Sequence, residues 1–354
     1  MAARRITAAV IGVGGNVSQG IVKALRRSSL DCRIIGLDLS ADQAGLYFCD
    51  AGWITPRAED PAFLPRLEQI CRAESVDIIL TGCEPVLDAL ADRRQEVEQR
   101  TGALFPVAPP ETYWTVRDKW TLSEWMRGQG LPTARAALSE DRQALDRLRA
   151  DCGFPLLAKP RRGGGSRGLL VLQDEADLDY VARKSRYVVE EMLRPAGGEY
   201  TIGCFNDRNG NPVEMILLRR ELHLGTTYRA WVDDHPDVRE MAARICNALR
   251  IPGPCNLQLL LSDRGPVCFE INPRFSGTTA IRAAFGFNDV EALVRERVLG
   301  EPPRLSRIRE GIALRYWNEL YPAPEPRKAL NELGRFNESN GAGRGHIGSE
   351  GISS

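Results

Sequence analysis

The sequence has few histidines and no closely spaced pair of cysteines. Its three histidines, His223, His235 and His346, are too few and too dispersed for a histidine-rich metal cluster. The nine cysteines are an odd number and include no C-x-x-C pair, which argues for free thiols in a reducing compartment rather than a disulfide framework. The spacing of these residues therefore predicts neither a zinc site nor disulfide bonds.

An excess of one charge and a long apolar run are also missing. The 47 basic and 47 acidic residues cancel, so nothing indicates nucleic-acid binding or a polybasic contact with a membrane. No run approaches the roughly 20 apolar residues that a membrane span needs. The basic start, Met1 to Arg5, imitates a secretion signal, but the apolar stretch after it breaks at Gly12, which favours a first strand. We expect a soluble cytoplasmic protein.

The first hundred residues alternate between strand and helix patterns. The length of 354 residues allows two or three domains with cores of their own. Strand patterns cover residues 7–11, 33–37, 77–80 and 104–107, and helix patterns cover residues 17–27, 63–73 and 86–98. Such alternation predicts a parallel sheet covered by helices. Pro106, Pro109 and Pro110 then indicate a domain boundary near residue 110.

A glycine-rich turn, Gly12 to Ser18, connects the first strand pattern to the first helix pattern. A dinucleotide-binding fingerprint needs its third glycine at position 17, where valine stands. Asp38, after the second strand pattern, keeps a dinucleotide site as an alternative. A tight turn between strand and helix is the interpretation that we favour.

A second glycine-rich segment follows an apolar strand pattern in the middle of the chain. The pattern at residues 155–159 ends at Lys159 and leads into residues 160–168, which contain Ser166 and four glycines. Backbone N–H groups of such a loop can approach phosphates closely. The spacing differs from G-x-x-x-x-G-K-[ST] and a strand follows instead of a helix, which disfavours a Walker-type nucleotidase. We expect a mobile lid over phosphates; a basic hairpin tip without a ligand is the alternative.

Residues 256–261 and 267–272 have the pattern of a β-hairpin with a turn at residues 262–265. Side chains alternate along a strand, so Glu270 and Asn272 are expected on one face and Phe269 and Ile271 on the other. If the turn is symmetric about residue 264, Gln258 lies directly across from Glu270. Three oxygen ligands in one patch suit a hard divalent cation better than zinc.

Two further considerations bear on this hairpin. A polar face that merely contacts solvent is the alternative interpretation of Glu270 and Asn272. Arg274, just past the proposed metal face, can hold an anionic group bidentately. Together with the glycine-rich segments upstream, Pro273 and Arg274 favour a binding site for a metal-bound nucleotide over a hairpin face that only contacts solvent.

The motifs occur in a characteristic order: a lysine after an aspartate, a lysine before a proline, a glycine-rich loop, an acidic hinge, and Gln with Glu-x-Asn on a hairpin. This order resembles the ATP-grasp superfamily, and Gln258 with residues 270–274 resembles its carbamoyl-phosphate-synthase-like branch. The likeness runs from residue 6 to about residue 320. It implies an α/β and α+β protein, in which an N-terminal Rossmann-like pre-ATP-grasp domain is followed by a two-lobed ATP-grasp fold.

The predicted division has four parts. Residues 1–110 form the pre-ATP-grasp domain, residues 111–187 form linker helices and the lid subdomain, and residues 188–322 form the C-terminal catalytic subdomain. Residues 323–354 are rich in Pro, Gly, Ser, Asn and charge, with little periodicity, and are expected to be a polar tail.

The resemblance also implies a role for individual residues. Lys119 and Lys159 are similar to the lysines that contact the ATP phosphates, and the loop containing Gly164, Gly165 and Ser166 is similar to the flap over them. Glu190, with the backbone of Glu191, Met192 and Leu193, resembles the hinge at the adenine edge, and Glu199 resembles the carboxylate that binds the ribose. Gln258, Glu270 and Asn272 resemble ligands of Mg²⁺ (or Mn²⁺), and Arg274 the arginine at the acyl phosphate. Many members of the family also have an arginine on a strand between the hinge and the metal-binding hairpin. Either Arg219 or Arg220 can correspond to it, and we choose Arg220.

The function implied is an ATP-dependent carboxylate–amine ligase that passes through an acyl phosphate and releases ADP and phosphate. Its expected partners are a small-molecule carboxylate and an amine, in a protein that can form a homodimer. Alternatives are an ATP-grasp enzyme whose nucleophile is ammonia, a hydroxyl or a thiol, and a nucleotide-binding protein without turnover. An NAD-dependent dehydrogenase, based on the first glycine turn, would leave Lys159, the flap and the hairpin unexplained.

Overall fold

The structure is a computed structural model that describes residues 4–337. The chain divides into two compact units. The N-terminal unit comprises the described residues up to Ala108, Arg274–Ile308 and the described residues from Tyr316 to Asn337, and the central unit comprises Pro109–Pro273 and Arg309–Arg315. The four-part division made from the sequence stays a prediction.

The described residues contain the following strands, in chain order: β1 Ile6–Ile11, β2 Cys32–Asp38, β3 Ala51–Ile54, β4 Ile78–Thr81, β5 Ala136–Leu138, β6 Leu156–Pro160, β7 Leu170–Leu172, β8 Tyr187–Glu191, β9 Pro195–Asn206, β10 Pro212–His223, β11 Thr226–Asp233, β12 Gly253–Ser262, β13 Gly265–Asn272, β14 Ile312–Leu314 and β15 Arg335–Asn337. The α-helices are α1 Asn16–Arg27, α2 Phe63–Glu74, α3 Glu84–Leu90, α4 Arg94–Thr101, α5 Pro110–Arg117, α6 Lys119–Gly128, α7 Arg142–Cys152, α8 Glu175–Ala182, α9 Pro236–Leu249, α10 Thr279–Ala284, α11 Asp289–Val294 and α12 Pro324–Leu333. Within residues 4–337, no helix is long and apolar enough to span a lipid bilayer.

The N-terminal unit is built on a sheet with the strand order β15-β3-β2-β1-β4. Strands β1 to β4 run parallel, and β15 pairs with β3 in the antiparallel direction. Ala8, Ala9 and Val10 of the central strand β1 are completely buried, as is typical of a parallel sheet that is covered on both faces. The predicted parallel sheet is therefore confirmed.

Two of the predicted elements in this unit were wrong in detail. Residues 104–107 do not form a strand, since Leu104 makes only an isolated bridge to Ile78. Pro106 has no N–H group and cannot donate to a continued ladder. The helix predicted at residues 86–98 is divided into α3 and α4 by a 3₁₀ turn at Ala91–Arg93.

The polar-tail prediction was also wrong for residues 324–337. Helix α12 and strand β15 lie there, and the Phe336 side chain is 3% exposed. Gly52 on β3 makes room for its ring, because a Cβ atom at Gly52 would lie 2.2 Å from Phe336 Cε1. One buried aromatic residue therefore docks the segment on the sheet edge, which a composition average does not reveal. The rest of the predicted tail, residues 338–354, lies outside the described residues.

The central unit contains two antiparallel sheets. The smaller sheet has the order β5-β8-β6-β7, and buried Leu145 and Leu178 of α7 and α8 share one apolar cluster with its strands. The larger sheet has the order β13-β12-β9-β10-β11-β14. Helix α9 packs on the larger sheet with its apolar side, which includes Met241 and Ile245. A parallel α/β unit and a unit with antiparallel sheets confirm the predicted α/β and α+β class.

Candidate active site

A pocket of about 360 Å³ lies within the central unit, between strands of its two sheets and the glycine-rich loop. Cavities of this size are typical of small-molecule sites. Most of the predicted site residues line this pocket: Lys119, Lys159, Gly164, Gly165, Ser166, Glu190, Glu191, Met192, Leu193, Glu199, Arg220, Gln258 and Glu270. The structure therefore brings together residues that are up to about 150 positions apart in the chain.

The hairpin β12–β13 places Gln258 directly across from Glu270. Gln258 Nε2 donates to Glu270 Oε1 at 3.0 Å, and Asn272 Nδ2 donates to the same oxygen at 2.8 Å. The predicted patch of one carboxylate and two carboxamides is therefore present. Asn272 is 8% exposed and supports Glu270 from beside the pocket, since it is not among the lining residues.

The pairing of Gln258 with Glu270 arises differently from the prediction. The turn is not symmetric about residue 264, because Ser262 pairs with Gly265 and Leu259 pairs with Cys268. The ladder then shifts between Gln258 and Leu259, which leaves Phe269 as an extra residue on β13. This β-bulge restores the predicted pair.

The bulge also changes the surroundings of Phe269. Phe269 was expected to face away from Glu270. This expectation was wrong, because both residues line the pocket. Together with Leu157, Leu169 and Leu260, Phe269 gives the pocket an apolar wall. Such a wall suits the flat face of a base, since aromatic and aliphatic side chains are the usual lining of nucleotide and ligand pockets. Sequence reasoning missed these apolar residues because strand patterns do not distinguish them from core residues.

Of Arg219 and Arg220, Arg220 is the one that lines the pocket. Its side chain is 8% exposed, its Nε donates to Glu199 Oε1 at 2.8 Å, and its Nη2 donates to Gln258 Oε1 at 2.7 Å. Arg219 lies on the other face of β10, where its guanidinium lies 4.9 Å from the centre of the Trp231 ring. The alternation of side chains along β10 thus settles a choice that the sequence left open.

Lys159 and Glu190 form a nearly buried ion pair at 2.7 Å, with 9% of each side chain exposed. They lie on neighbouring strands, because Lys159 pairs with Val188 and Leu157 pairs with Glu190. A buried ammonium group without a partner would be costly, so the Glu190 carboxylate supplies the partner that Lys159 needs inside the pocket. In this conformation the Glu190 side chain holds Lys159, and the backbone N–H of Glu191 donates to the Arg135 carbonyl at 3.0 Å.

The glycine-rich loop is tied to the start of α6. Lys119 Nζ donates to the carbonyl oxygen of Gly163 at 2.9 Å, and the backbone N–H of Lys119 donates to the Arg161 carbonyl at 2.9 Å. Gly163, Gly165 and Ser166 have φ angles of +116°, +67° and +57°. The turn conformations of the loop therefore depend on residues with little steric demand.

The loop lies against the turn between β10 and β11. A Cβ atom added to Gly225 would lie 2.5 Å from the Gly165 carbonyl oxygen, and Gly225 itself has a φ of +70°. Gly225 lines the pocket as well. Sequence reasoning missed it, because a glycine in a hairpin turn is ordinary and nothing in the sequence links it to the loop.

Arg274 belongs to the N-terminal unit and is not among the residues that line the pocket. Its Nη2 pairs with the carboxylate of Glu84, the first residue of α3, and its Nη1 donates to the Phe275 carbonyl at 2.8 Å. The role of Arg274 at a reacting group stays a prediction.

The first glycine turn is filled by the protein's own groups. The backbone N–H of Gly14 donates to Asp38 Oδ2 at 2.6 Å, which occupies the carboxylate that a dinucleotide ribose would require. A Cβ atom at Gly14 would lie 2.2 Å from Gln43 Oε1, so Gln43 takes the space beside the turn. These contacts support the tight-turn interpretation over a dinucleotide site.

Cys268 shows that the hairpin offers no thiol nucleophile. Its Sγ donates to the Glu270 carbonyl at 3.6 Å, and burial raises the pKa of this thiol to about 12. The thiol stays protonated near neutral pH. Cys268 is therefore a buried thiol of the hairpin's core and not a reactive one.

Two family models match the chain. Residues 184–320 match the model described as "ATP-grasp in the biosynthetic pathway with Ter operon", and residues 9–103 match "PylC-like, N-terminal domain". The first match includes residues 190–193 and the β12–β13 hairpin. The second lies within the part that supplies the parallel sheet.

Similar sequences occur among curated proteins. A formate-dependent phosphoribosylglycinamide formyltransferase from Synechococcus sp. (strain CC9311) is 26% identical over 215 residues, which are 60% of this chain and 51% of that protein. A carbamoyl phosphate synthase large chain from Mycobacterium sp. (strain JLS) is 26% identical over 196 residues, which are 51% of this chain and 18% of that protein. The matched region thus spans about half the length of the first relative and a smaller part of the second.

Solved structures with the same fold include N5-carboxyaminoimidazole synthetase from Staphylococcus aureus complexed with ADP. That structure has a TM-score of 0.69 and 17% identity, and the match covers 87% of this chain and 81% of that one. A biotin carboxylase domain dimer of Hydrogenobacter thermophilus 2-oxoglutarate carboxylase has a TM-score of 0.65 and 16% identity, with 86% and 73% covered. At such identities the likeness shows the fold.

The chain therefore contains a domain, residues 184–320, that matches an ATP-grasp family model. It has a PylC-like N-terminal domain and an ATP-grasp domain, and it is related to carbamoyl phosphate synthase large chains. The resemblance and the fold that the sequence motifs implied are confirmed.

Proposed function

We propose that this chain is an ATP-dependent ligase that activates a small-molecule carboxylate as an acyl phosphate and joins it to an amine, releasing ADP and phosphate. One observation carries the proposal. The central unit alone brings two lysines, a glycine-rich loop, an arginine and a carboxylate–carboxamide patch around one pocket with an apolar wall. Each of these features meets a need of phosphoryl transfer from a nucleotide.

The donor set fits magnesium. Glu270 supplies a carboxylate, and Gln258 and Asn272 supply carboxamides within hydrogen-bond distance of it. Hard divalent cations prefer such oxygen ligands together with water and phosphate oxygens. Glu270, Gln258 and Asn272 are the residues that would hold Mg²⁺ or Mn²⁺, which would offset charge on the transferring phosphoryl group.

The remaining residues act through position and charge. Lys119 and Lys159 offset the negative charge of the phosphates, and Arg220 fixes the orientation of Glu199 and Gln258 by donating hydrogen bonds to both. In this proposal Glu199 accepts hydrogen bonds from the ribose hydroxyls. The glycine-rich loop excludes water, which would otherwise hydrolyse the acyl phosphate.

The chemistry has two displacement steps. A carboxylate oxygen attacks the γ-phosphorus of ATP, the bond to the bridging oxygen breaks, and ADP leaves. The amine nitrogen then attacks the acyl carbon, the bond to the phosphate oxygen breaks, and the nitrogen loses a proton as phosphate leaves. Positioning and charge supply the catalysis, and no protein nucleophile takes part.

The experiment that tests the proposal is an assay of ADP release with a panel of small carboxylates and amines. Formate and bicarbonate belong in the panel, because formate appears in the name of the Synechococcus relative and bicarbonate in the description of the Hydrogenobacter structure. We expect ADP release to require Mg²⁺, one carboxylate and one amine. ADP release with ammonia, a hydroxyl or a thiol instead would change the nucleophile, and ATP binding without ADP release across the panel would favour a protein without turnover.

Three further expectations accompany this proposal. We propose small-molecule partners, a cytoplasmic location and a homodimer; the dimeric biotin carboxylase domain supports the last of these. Light scattering at concentrations used in the assay measures the mass of the particle. A monomer that is fully active would contradict the dimer and leave the ligase proposal intact.

A further inference from the structure

Three cysteines from different elements meet in the core of the central unit. Cys204 on β9 and Cys255 on β12 are direct partners in the antiparallel ladder, and Cys246 lies in the last turn of α9. Their three Sγ atoms lie within 4.8 Å of one another, and each residue is at most 2% exposed. We call these residues the thiol cluster.

The thiol cluster lies on the helix side of the larger sheet. Because side chains alternate along a strand, Cys255 and Gln258, three residues apart, face opposite sides of β12. Cys204 and Cys255 therefore face α9, whereas Gln258 faces the nucleotide pocket. The cluster is separate from the proposed magnesium site, and it is surrounded by completely buried apolar residues such as Ile202 and Ile245.

A buried carboxamide lies next to the thiol cluster. Asn206 is completely buried, its Nδ2 donates to the Ile251 carbonyl at 2.7 Å, and the same nitrogen lies 3.9 Å from Cys255 Sγ. Its Oδ1 has no hydrogen-bond partner among residues 4–337. A buried acceptor without a donor is costly, which indicates that this oxygen serves a group other than the protein's own donors.

We propose that Cys204, Cys246 and Cys255 form a binding site for a thiophilic divalent cation of the Zn²⁺ and Cd²⁺ class, with Asn206 Oδ1 as the fourth donor. Sulfur ligands select such ions, whereas Mg²⁺ prefers oxygen. Three sulfur–metal bonds form, and the three displaced protons pass to solvent. The net charge of the three thiolates and the ion is then one negative charge, which the Asn206 N–H beside Cys255 helps to stabilise.

The observed spacing suits this ion. Three Zn–S bonds of about 2.3 Å in a tetrahedral site with a fourth donor place the sulfurs about 3.8 Å apart. The three Sγ atoms lie within 4.8 Å of one another, so each separation needs to shorten by at most about 1 Å. Sequence spacing predicted no zinc site, because the three thiols come from two strands and a helix rather than from one short motif.

The test is a titration of the full chain with Cd²⁺ alone, after reduction and removal of metal under anaerobic conditions. We expect one equivalent to produce the ultraviolet charge-transfer absorption of cadmium thiolates. Cys255→Ala should lower the affinity by more than about 100-fold, since loss of an outer partner alone costs about 10–100-fold. Cys71→Ala is the matched control, because Cys71 is equally buried but lies in the N-terminal unit, and it should leave the affinity unchanged.

A second measurement avoids any variant that fails to fold. X-ray absorption of the cadmium-loaded protein counts sulfur neighbours, and we expect three. The inference is overturned if no absorption develops at one equivalent or if fewer than three sulfurs surround the ion. It is also overturned if the absorption survives replacement of all three cysteines by alanine, or if two of the three cysteines form a disulfide that persists under the reducing conditions of the titration. Because the cluster faces away from the pocket, ADP release is measured separately and tests only the proposed ligase function.

Discussion

Gln258 lies directly opposite Glu270 in the β12–β13 ladder, and its Nε2 donates a hydrogen bond to Glu270 Oε1 at 3.0 Å. The bulge at Phe269 makes this pair possible, because without the extra residue Gln258 would oppose residue 269. The same bulge leaves Phe269 on the pocket wall. One irregularity in a hairpin thus positions both the oxygen patch and part of the apolar lining.

Replacing the carboxylate of this pair should abolish turnover. In Glu270→Gln the shape is kept but the charged oxygen ligand is lost, so we expect ADP formation to fall by at least about 100-fold, the scale of losing one group that stabilises transition-state charge. Unfolding temperature should change little. Glu221→Gln is the control on β10, where Glu221 pairs with Arg229 at 2.9 Å and does not line the pocket. Normal turnover of Glu270→Gln would contradict the metal assignment.

Arg220 and Arg219 offer a neighbouring pair for comparison. Arg220→Met removes the guanidinium that holds both Glu199 and Gln258, so we expect weaker ATP binding and ADP formation reduced by about 100-fold. Arg219→Met removes a cation from the opposite face, beside Trp231, and should retain most of the activity. Steady-state assays of the two variants decide the matter, and equal losses would show that strand β10 is not oriented as described.

The contact between Gly225 and Gly165 predicts a coupling defect. A Cβ atom in Gly225→Ala would lie 2.5 Å from the Gly165 carbonyl oxygen, so the glycine-rich loop should be displaced and ATP should be hydrolysed without product. Gly102→Ala is a matched control, because Gly102 has a φ of +71° against +70°, but a Cβ atom there would meet no described atom within 4 Å beyond its own stretch of chain. Both variants carry about 1 kcal/mol of backbone strain. The ratio of ADP to ligated product measures coupling, and an unchanged ratio in Gly225→Ala would exclude the loop as a lid.

Phe336 should contribute to stability rather than to catalysis. Phe336→Ala removes a ring that is 3% exposed and packs against Gly52, and comparable truncations cost about 3–5 kcal/mol in the free energy of unfolding. Leu333→Ala, at a residue that is 67% exposed, should cost far less. Urea unfolding measures both. If the two variants unfold alike, β15 does not dock on the sheet in solution.

The outline of the site could be predicted because several of its residues lie in short motifs that are close together in the sequence. Lys159 before the glycine-rich loop and the pair Glu270 and Asn272 occupy short motifs, so their grouping could be anticipated from the pattern of strands and turns. The pairing of Gln258 was predicted through a symmetric turn that does not exist. The predicted pair still forms. The actual turn shifts the pairing by one residue, and the β-bulge at Phe269 shifts it back.

Other features depend on contacts that a single sequence does not encode visibly. The choice of Arg220 over Arg219 required the face of β10, and the role of Gly225 required the loop to be placed on the hairpin. Composition concealed the docking of Phe336 in a segment that is otherwise polar. The thiol cluster could not be predicted either, because other elements separate its three cysteines along the chain.

The most direct test of the central claim is a crystal structure with a non-hydrolysable ATP analogue and Mn²⁺. We predict that the triphosphate lies under the loop of residues 163–168 and that an anomalous manganese peak lies beside the carboxylate of Glu270. An analogue bound elsewhere, or a manganese peak away from Glu270 and Gln258, would contradict the account.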